Sequence, residues 1–291
     1  MLEIVLSIYT PIVIGVLLGA GLNPGERELY FFSKVVLYAF LPALLFTSTY
    51  SRVFQATDLR PFALTALSAL SVVLTFLLTR ALKERAEVVL TSMYANAGYL
   101  PVGIAQSLWG TEGVASVGFY IFGNNSVSNA LAPTLSSRIS SPYSLARRIL
   151  SFPPIAAVML GLVLGAVRVT LPSLVIQLLK PFSDAAATIA LVQLGVEFGV
   201  KPALDPEGLK SYAYRLAVVV PLTLLFVKTG ILEGVDRGVA VLESVMPSAA
   251  SCVPISRELG LDARRVARIV VTSTLVSTVA VLPPLLVFVP L

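Results

Sequence analysis

Apolar runs of about twenty residues recur from one end of this chain to the other. Each is long enough to cross a lipid bilayer. The runs are continuous rather than alternating, which favours helices over the strands of a barrel. Read between charged or Pro/Gly breaks, they predict ten spans near residues 4–21, 31–50, 61–79, 86–109, 113–133, 152–168, 181–200, 211–229, 234–256 and 265–289. Charged residues make up only 13% of the chain, against about a quarter in soluble domains. Mean hydropathy is +0.88. The expected fold class is therefore an all-α polytopic membrane protein. "MLEIVLSIYTPIVIG" has no basic leader and reads as the first span rather than a cleaved signal.

The stretch "SSRISSPYSLARR" divides the spans five and five, giving a first half at 1–135, a linker at 136–151 and a second half at 152–291. Alternate loops collect Arg27, Lys34, Arg80, Lys83, Arg85, Arg138, Arg147, Arg148, Lys201, Lys210, Arg215, Arg257, Arg264, Arg265 and Arg268, fifteen cations. The opposite side holds six: Arg52, Arg60, Arg168, Lys180, Lys228 and Arg237. This bias predicts the linker in the cytoplasm and both termini outside. The same loops account for the net charge of +5 without a nucleic-acid partner. The single cysteine, Cys252, excludes an internal disulfide, and the absence of histidine removes the commonest metal ligand. No metal site or cofactor is expected.

The halves resemble each other. "GVLLGA" (15–20) matches "GLVLGA" (161–166), and "VVLTSMYANAGYLP" (88–101) aligns with "VLESVMPSAASCVP" (241–254). The second alignment makes Val88/Val241, Met93/Met246, Ala97/Ala250 and Pro101/Pro254 identical at an offset of 153. With five spans per half, the second half enters the membrane from the opposite side. The prediction is an inverted-topology repeat, an architecture common among secondary transporters.

Spans four and nine carry the paired interruptions. Pro101 lacks a backbone donor, Gly98 loosens the same turn, and Asn96 is polar at depth. Pro247 and Pro254 bracket "SAASCV", which contains Ser248 and Ser251. Freed backbone groups in hydrocarbon cost several kcal/mol each unless satisfied, so matched breaks point to a binding site. Pro101 and Pro254 would each open a second half-helix, whose N-terminus attracts anions. That attraction is needed because spans four, five and nine carry no central cation. Span five adds Asn124 and Asn125, which serve either as helix–helix glue or as ligand contacts. Their sequon lies inside a span and is discarded. Gln193 in span seven is a further binding candidate, and Glu243, one turn before Pro247, is a candidate for proton coupling.

At these residues the chain resembles the auxin efflux carrier family, which includes the plant PIN exporters and prokaryotic organic-acid carriers. "FSKVVLYAFLPALLFTS" (32–48), "NAGYLPVGIA" (96–105), "PPIAAVMLGLVLG" (153–165), "IALVQLGVEFG" (189–199) and "VMPSAASCVP" (245–254) follow in the family's order. The proline of the second motif comes one residue earlier than in the family. The resemblance implies an elevator carrier, with a scaffold of spans 1, 2, 6 and 7 and a transport domain of spans 3–5 and 8–10. Broken helices 4 and 9 would cross at the site, and scaffolds would pair as a homodimer. It also implies small organic anions such as auxin, malate or malonate as substrates. The short linker at 136–151 replaces the long central loop of plant members. A sodium-coupled carrier of the related bile acid symporter fold stays open, with sodium near Asn96, Ser248 and Ser251. An intramembrane enzyme is disfavoured, since no Ser/His, Cys/His or paired-Asp arrangement exists. The expected location is the cytoplasmic membrane.

Overall fold

The structure is a computed structural model that describes residues 2–55, 61–136, 152–200 and 204–288. Beyond Ser136, the expected linker lies outside the described residues. The helices are α1 (Leu2–Leu22), α2 (Glu26–Val35), α3 (Leu41–Gln55), α4 (Phe62–Ala81), α5 (Ala86–Met93), α6 (Tyr99–Leu131), α7 (Pro153–Ala166), α8 (Ser173–Gly199), α9 (Glu207–Lys228), α10 (Gly234–Ser244), α11 (Cys252–Leu259), α12 (Ala263–Val276) and α13 (Leu282–Phe288). Gly110, at φ 59°, interrupts α6 where spans four and five were expected to part. A π-helical turn joins α2 to α3 just ahead of Pro42, and another joins α12 to α13 just ahead of Pro283. Each proline withholds the donor its preceding turn would need.

Among the described residues, five helical stretches are long and apolar enough to cross a membrane: Glu26–Gln55, Phe62–Ala81, Ser173–Gly199, Glu207–Lys228 and Ala263–Val287. Leu6–Leu22 and Pro153–Ala166 are shorter apolar helices. Leu17, Leu77, Val163, Leu178 and Leu225 stand exposed. Lipid tails suit such side chains, whereas water would not. The buried stripe of α4 is the reverse, carrying Ser68, Ser71, Thr75 and Thr79. Small and hydroxylated residues let membrane helices approach closely.

The chain forms two compact units. The first comprises Met1–Pro61, Gly98–Phe119 and Leu150–Lys201; the second comprises Phe62–Ala97, Tyr120–Ile149 and Pro202–Leu291. In the first unit, α1 crosses α8 where Gly15 and Gly19 meet Gly195 and Gly199. A Cβ at Gly195 would lie 2.8 Å from the Gly15 Cα and closer still to the Ile12 carbonyl oxygen. Gly161 and Gly165 of α7 approach α3 in the same manner, with Cβ positions 2.9 Å from the Phe46 oxygen and 3.0 Å from the Tyr50 oxygen. The "GVLLGA" and "GLVLGA" motifs therefore do equivalent packing work in α1 and α7.

In the second unit, hydroxyls tie α5 to α9: Ser92 donates to Ser211 at 3.1 Å, and Ser211 donates to Thr91 at 2.9 Å. At one end of the unit, Glu84, between α4 and α5, accepts from Lys210 and from the Tyr214 hydroxyl, both at 2.6 Å. These two donors, Lys210 first, hold the Glu84 carboxyl below its ordinary range. The folded state thus favours the ionised group. Its contribution is present above the ordinary carboxylate value and is lost as pH falls through the lowered one. Thermal unfolding of wild type and Glu84→Gln, followed from about pH 7 to about pH 3, should show a stability gap that closes on the acid side. A gap independent of pH would count against the pairing.

Candidate functional site

In the second unit the two interrupted stretches meet. α5 ends at Met93 and α10 at Ser244; the next helices begin at Tyr99 and Cys252. Between them, Ala95 and Ser248 form an antiparallel bridge. The Asn96 N–H donates to the Pro247 carbonyl at 2.8 Å, and the Ala249 N–H donates to the Tyr94 carbonyl at 2.9 Å. Part of the backbone freed by the breaks is thereby satisfied without water. Ala95 and Ser248 are 153 residues apart, the offset of the repeat alignment, and the same offset exchanges the two hydrogen bonds. Tyr99 and Cys252 also correspond under it. Pro101 and Pro254 each fall at the third residue of their helix, inside the first turn, where a missing N–H costs nothing. The half-helices thus start two residues before the prolines expected to open them.

Other freed carbonyls are capped by side chains. Ser128 of α6 donates to Met93 at 3.4 Å. Tyr212 and Ser277 donate to Val245 at 2.6 and 2.8 Å. Arg215 donates through Nε to Met246 at 2.9 Å, and its Nη2 lies 3.4 Å from both the Glu243 carbonyl oxygen and the Tyr120 hydroxyl. Counted from the sequence among loop cations, Arg215 is instead only 1% exposed. Its guanidinium supplies the fixed positive charge that spans four, five and nine lack.

The signal for Arg215 was present in the sequence. Gly208, Ser211, Tyr212, Arg215, Val219 and Thr223, spaced three and four apart, are the buried face of α9. That spacing marks one helical stripe. The apolar residues around the stripe face outward, so hydropathy alone hides it.

Several expected site residues gather in this unit. Asn96, Asn124, Asn125, Ser248 and Glu243 are buried. Tyr120, Asn124 and Ser128 occupy successive turns of one α6 stripe, so Asn124 lies between the Arg215 contact and the Met93 cap. Neither atom of the Asn124 amide has a hydrogen-bond partner among the described residues, and neither Glu243 carboxylate oxygen has one. Ser248 receives structural support, its N–H donating to the Ser273 hydroxyl at 3.3 Å. Ser251 precedes α11 without capping it through its side chain.

Gly98, Pro101 and Gln193 fall in the first unit. There Gln193 donates to Ser33 at 2.7 Å and to Glu197 at 3.0 Å. Its amide nitrogen is thus engaged locally, while its buried oxygen is unpartnered among the described residues.

Residues 124–283, more than half of the chain, match a family described as membrane transport protein. An "Uncharacterized transporter" of Methanothermobacter thermautotrophicus is 26% identical over 96% of this chain and 95% of its own length. One from Methanocaldococcus jannaschii, described in the same words, is 25% identical over 66% of this chain and 65% of its own. A protein of Rhizobium meliloti described as "Putative malonate transporter" is 22% identical over 89% of this chain and 86% of its own.

Proposed function

We propose, for a chain that belongs to the membrane transport protein family, a secondary carrier that binds a small organic anion at the crossing of its two broken helices. The observation that carries this reading is the bridge centred on Ala95 and Ser248. It holds two helix interruptions together, next to a buried cation and an unpartnered amide. Asn96, Asn124, Asn125, Ser248 and Ser251 would contact the anion, and the α11 N-terminus, with Pro254 in its first turn, would face its charge. Gly98 and Pro101 would shape the partner half-helix. The Rhizobium relative makes malonate the first carboxylate to test.

The finer architecture belongs to the same proposal. An inverted repeat of ten spans is supported by the way the 153-residue offset maps the bridge onto itself. An elevator mechanism is supported by the division into two compact units, one holding α1, α2, α3, α7 and α8, the other α4, α5 and α9–α13. On that division Gly98–Phe119 groups with the would-be scaffold. The loop-charge bias supports an orientation with both termini outside, and the cytoplasmic membrane is the location that goes with this reading.

Uptake of labelled malonate into proteoliposomes tests the carrier reading; no flux across a panel of dicarboxylates and aryl acetates would overturn it. Asn96→Ala is expected to weaken malonate binding about tenfold or more, the worth of one charge-assisted hydrogen bond, and Pro254→Ala to weaken it by altering the first turn of α11, both in protein that still folds. Wild-type affinity in both would remove the crossing from the site. Stabilisation by sodium, with no effect of pH, would favour the sodium-coupled reading at Asn96, Ser248 and Ser251.

A further inference from the structure

We propose that Arg215 couples anion binding at the crossing to the charge state of Glu243, so that one proton is taken up on Glu243 with each anion bound. The inference rests on the carrier reading above and names what drives it. Arg215, Asp236 and Glu243 are the charged residues buried among those described. Glu243 is fully buried, with neither carboxylate oxygen hydrogen-bonded. Arg215 binds the carbonyls of Glu243 and Met246, not that carboxylate. Met246 directly precedes Pro247, whose carbonyl receives the Asn96 N–H. The guanidinium therefore stands one peptide from the crossing, and Glu243 four residues from Pro247.

Three charges share this low-dielectric space: the guanidinium, the carboxylate and any bound anion. With Glu243 ionised, it already balances Arg215, and an anion leaves the set net negative and buried, which is costly. With Glu243 protonated, Arg215 is uncompensated, so a bound monoanion restores neutrality and a bound dianion leaves one buried negative charge instead of two. A proton moves from water to the Glu243 carboxylate, no covalent bond to the anion forms, and the same proton leaves when the anion does.

The titratable neighbours do not replace Glu243 in this role. From α9 come Arg215 and Tyr212, and the Tyr212 hydroxyl is spent on Val245. From α6 comes Tyr120, beside the guanidinium. On α10 itself, Asp236 is seven residues away, toward the far end of the helix. From α12 and the turn after it, Ser273 and Ser277 reach this stretch of chain, and both are hydroxyls.

Calorimetry of malonate binding in two buffers of different ionisation enthalpy counts the protons directly and needs no variant. From about pH 6 to about pH 9, wild type is expected to take up protons on binding, and its affinity to fall by up to tenfold per pH unit once Glu243 is ionised. The total span is about 5- to 150-fold, the usual range of site-to-site coupling. Glu243→Gln is close in shape to the protonated acid. It should bind malonate at the acid-side affinity of wild type without proton uptake, and malonate's own ionisation cancels in the comparison. Malonate binding without proton uptake in wild type, or an unchanged pH dependence in Glu243→Gln, overturns the coupling alone. Failure of every carboxylate to bind at any pH overturns the carrier reading and the coupling with it.

Discussion

Gly195→Val is expected to be among the most damaging single substitutions in the first unit, lowering stability by more than about 3 kcal/mol. The reason is backbone against backbone. A side chain at Gly195 would meet the Gly15 Cα at 2.8 Å, with the Ile12 carbonyl oxygen nearer still. Neither atom can rotate away as a flexible side chain would, so α1 and α8 must separate. Gly15, Gly19 and Gly199 would then lose their contacts together. Gly21→Ala provides the comparison. It lies on the same α1 with nothing within 4 Å of its Cβ position, and should change stability by no more than about 0.5 kcal/mol. Thermal unfolding of both variants in the same detergent decides the matter. Equal midpoints for Gly195→Val and wild type would mean that α1 and α8 do not cross at these glycines.

Arg215→Met is expected to cost about 3–5 kcal/mol near neutral pH, the range for breaking a buried charged set by removing one partner. Two contributions are separable. The Met246 carbonyl loses its donor, which accounts for about 1–3 kcal/mol. The rest comes from Glu243, which loses the nearby positive charge that balances it. Arg215→Met combined with Glu243→Gln should recover the second part and not the first. The coupling between the two sites is expected to exceed about 1 kcal/mol by double-mutant cycle. Arg215→Lys keeps the charge but cannot reach several carbonyls with one planar fork, so it should fall between wild type and Arg215→Met. Strict additivity of the two substitutions would show that Arg215 and Glu243 do not sense each other.

The helical class was legible from hydropathy because lipid-facing residues dominate each run, and those residues are what such a scale measures. The breaks were legible because Gly98, Pro101, Pro247 and Pro254 are few and stand out in apolar surroundings. The aligned segments make Ala95 and Ser248 equivalent positions of the two halves, and the bridge between them is visible only in the structure. What the sequence concealed was which polar residues serve structure. The Gln193 amide nitrogen donates to Glu197, four residues on along the same helix, which spacing shows, and to Ser33 on α2, which spacing along one helix cannot show. Arg215 looked like a loop cation because it lies about one turn from the start of the span expected at 211–229, although α9 begins about two turns before it, at Glu207. Its direction is set by the Ser211–Tyr212–Arg215 stripe, a signal only when the polar face of a membrane helix is read as the inner one.

The short helices flanking the crossing have a consequence for biosynthesis. α5 and α11 have eight residues each, a length of about 12 Å, under half of the hydrocarbon thickness. Neither can settle across a bilayer by itself. The hydrogen bonds that close the gap at Tyr94–Asn96 come from Pro247–Ala249, about half the chain later in synthesis. Until the ribosome has delivered that second segment, the first carries unpaired amides in a greasy surrounding. The nascent chain must therefore hold them in water, in a translocation channel or against a chaperone. The crossing can therefore close only in the second half of synthesis, once Pro247–Ala249 has been made.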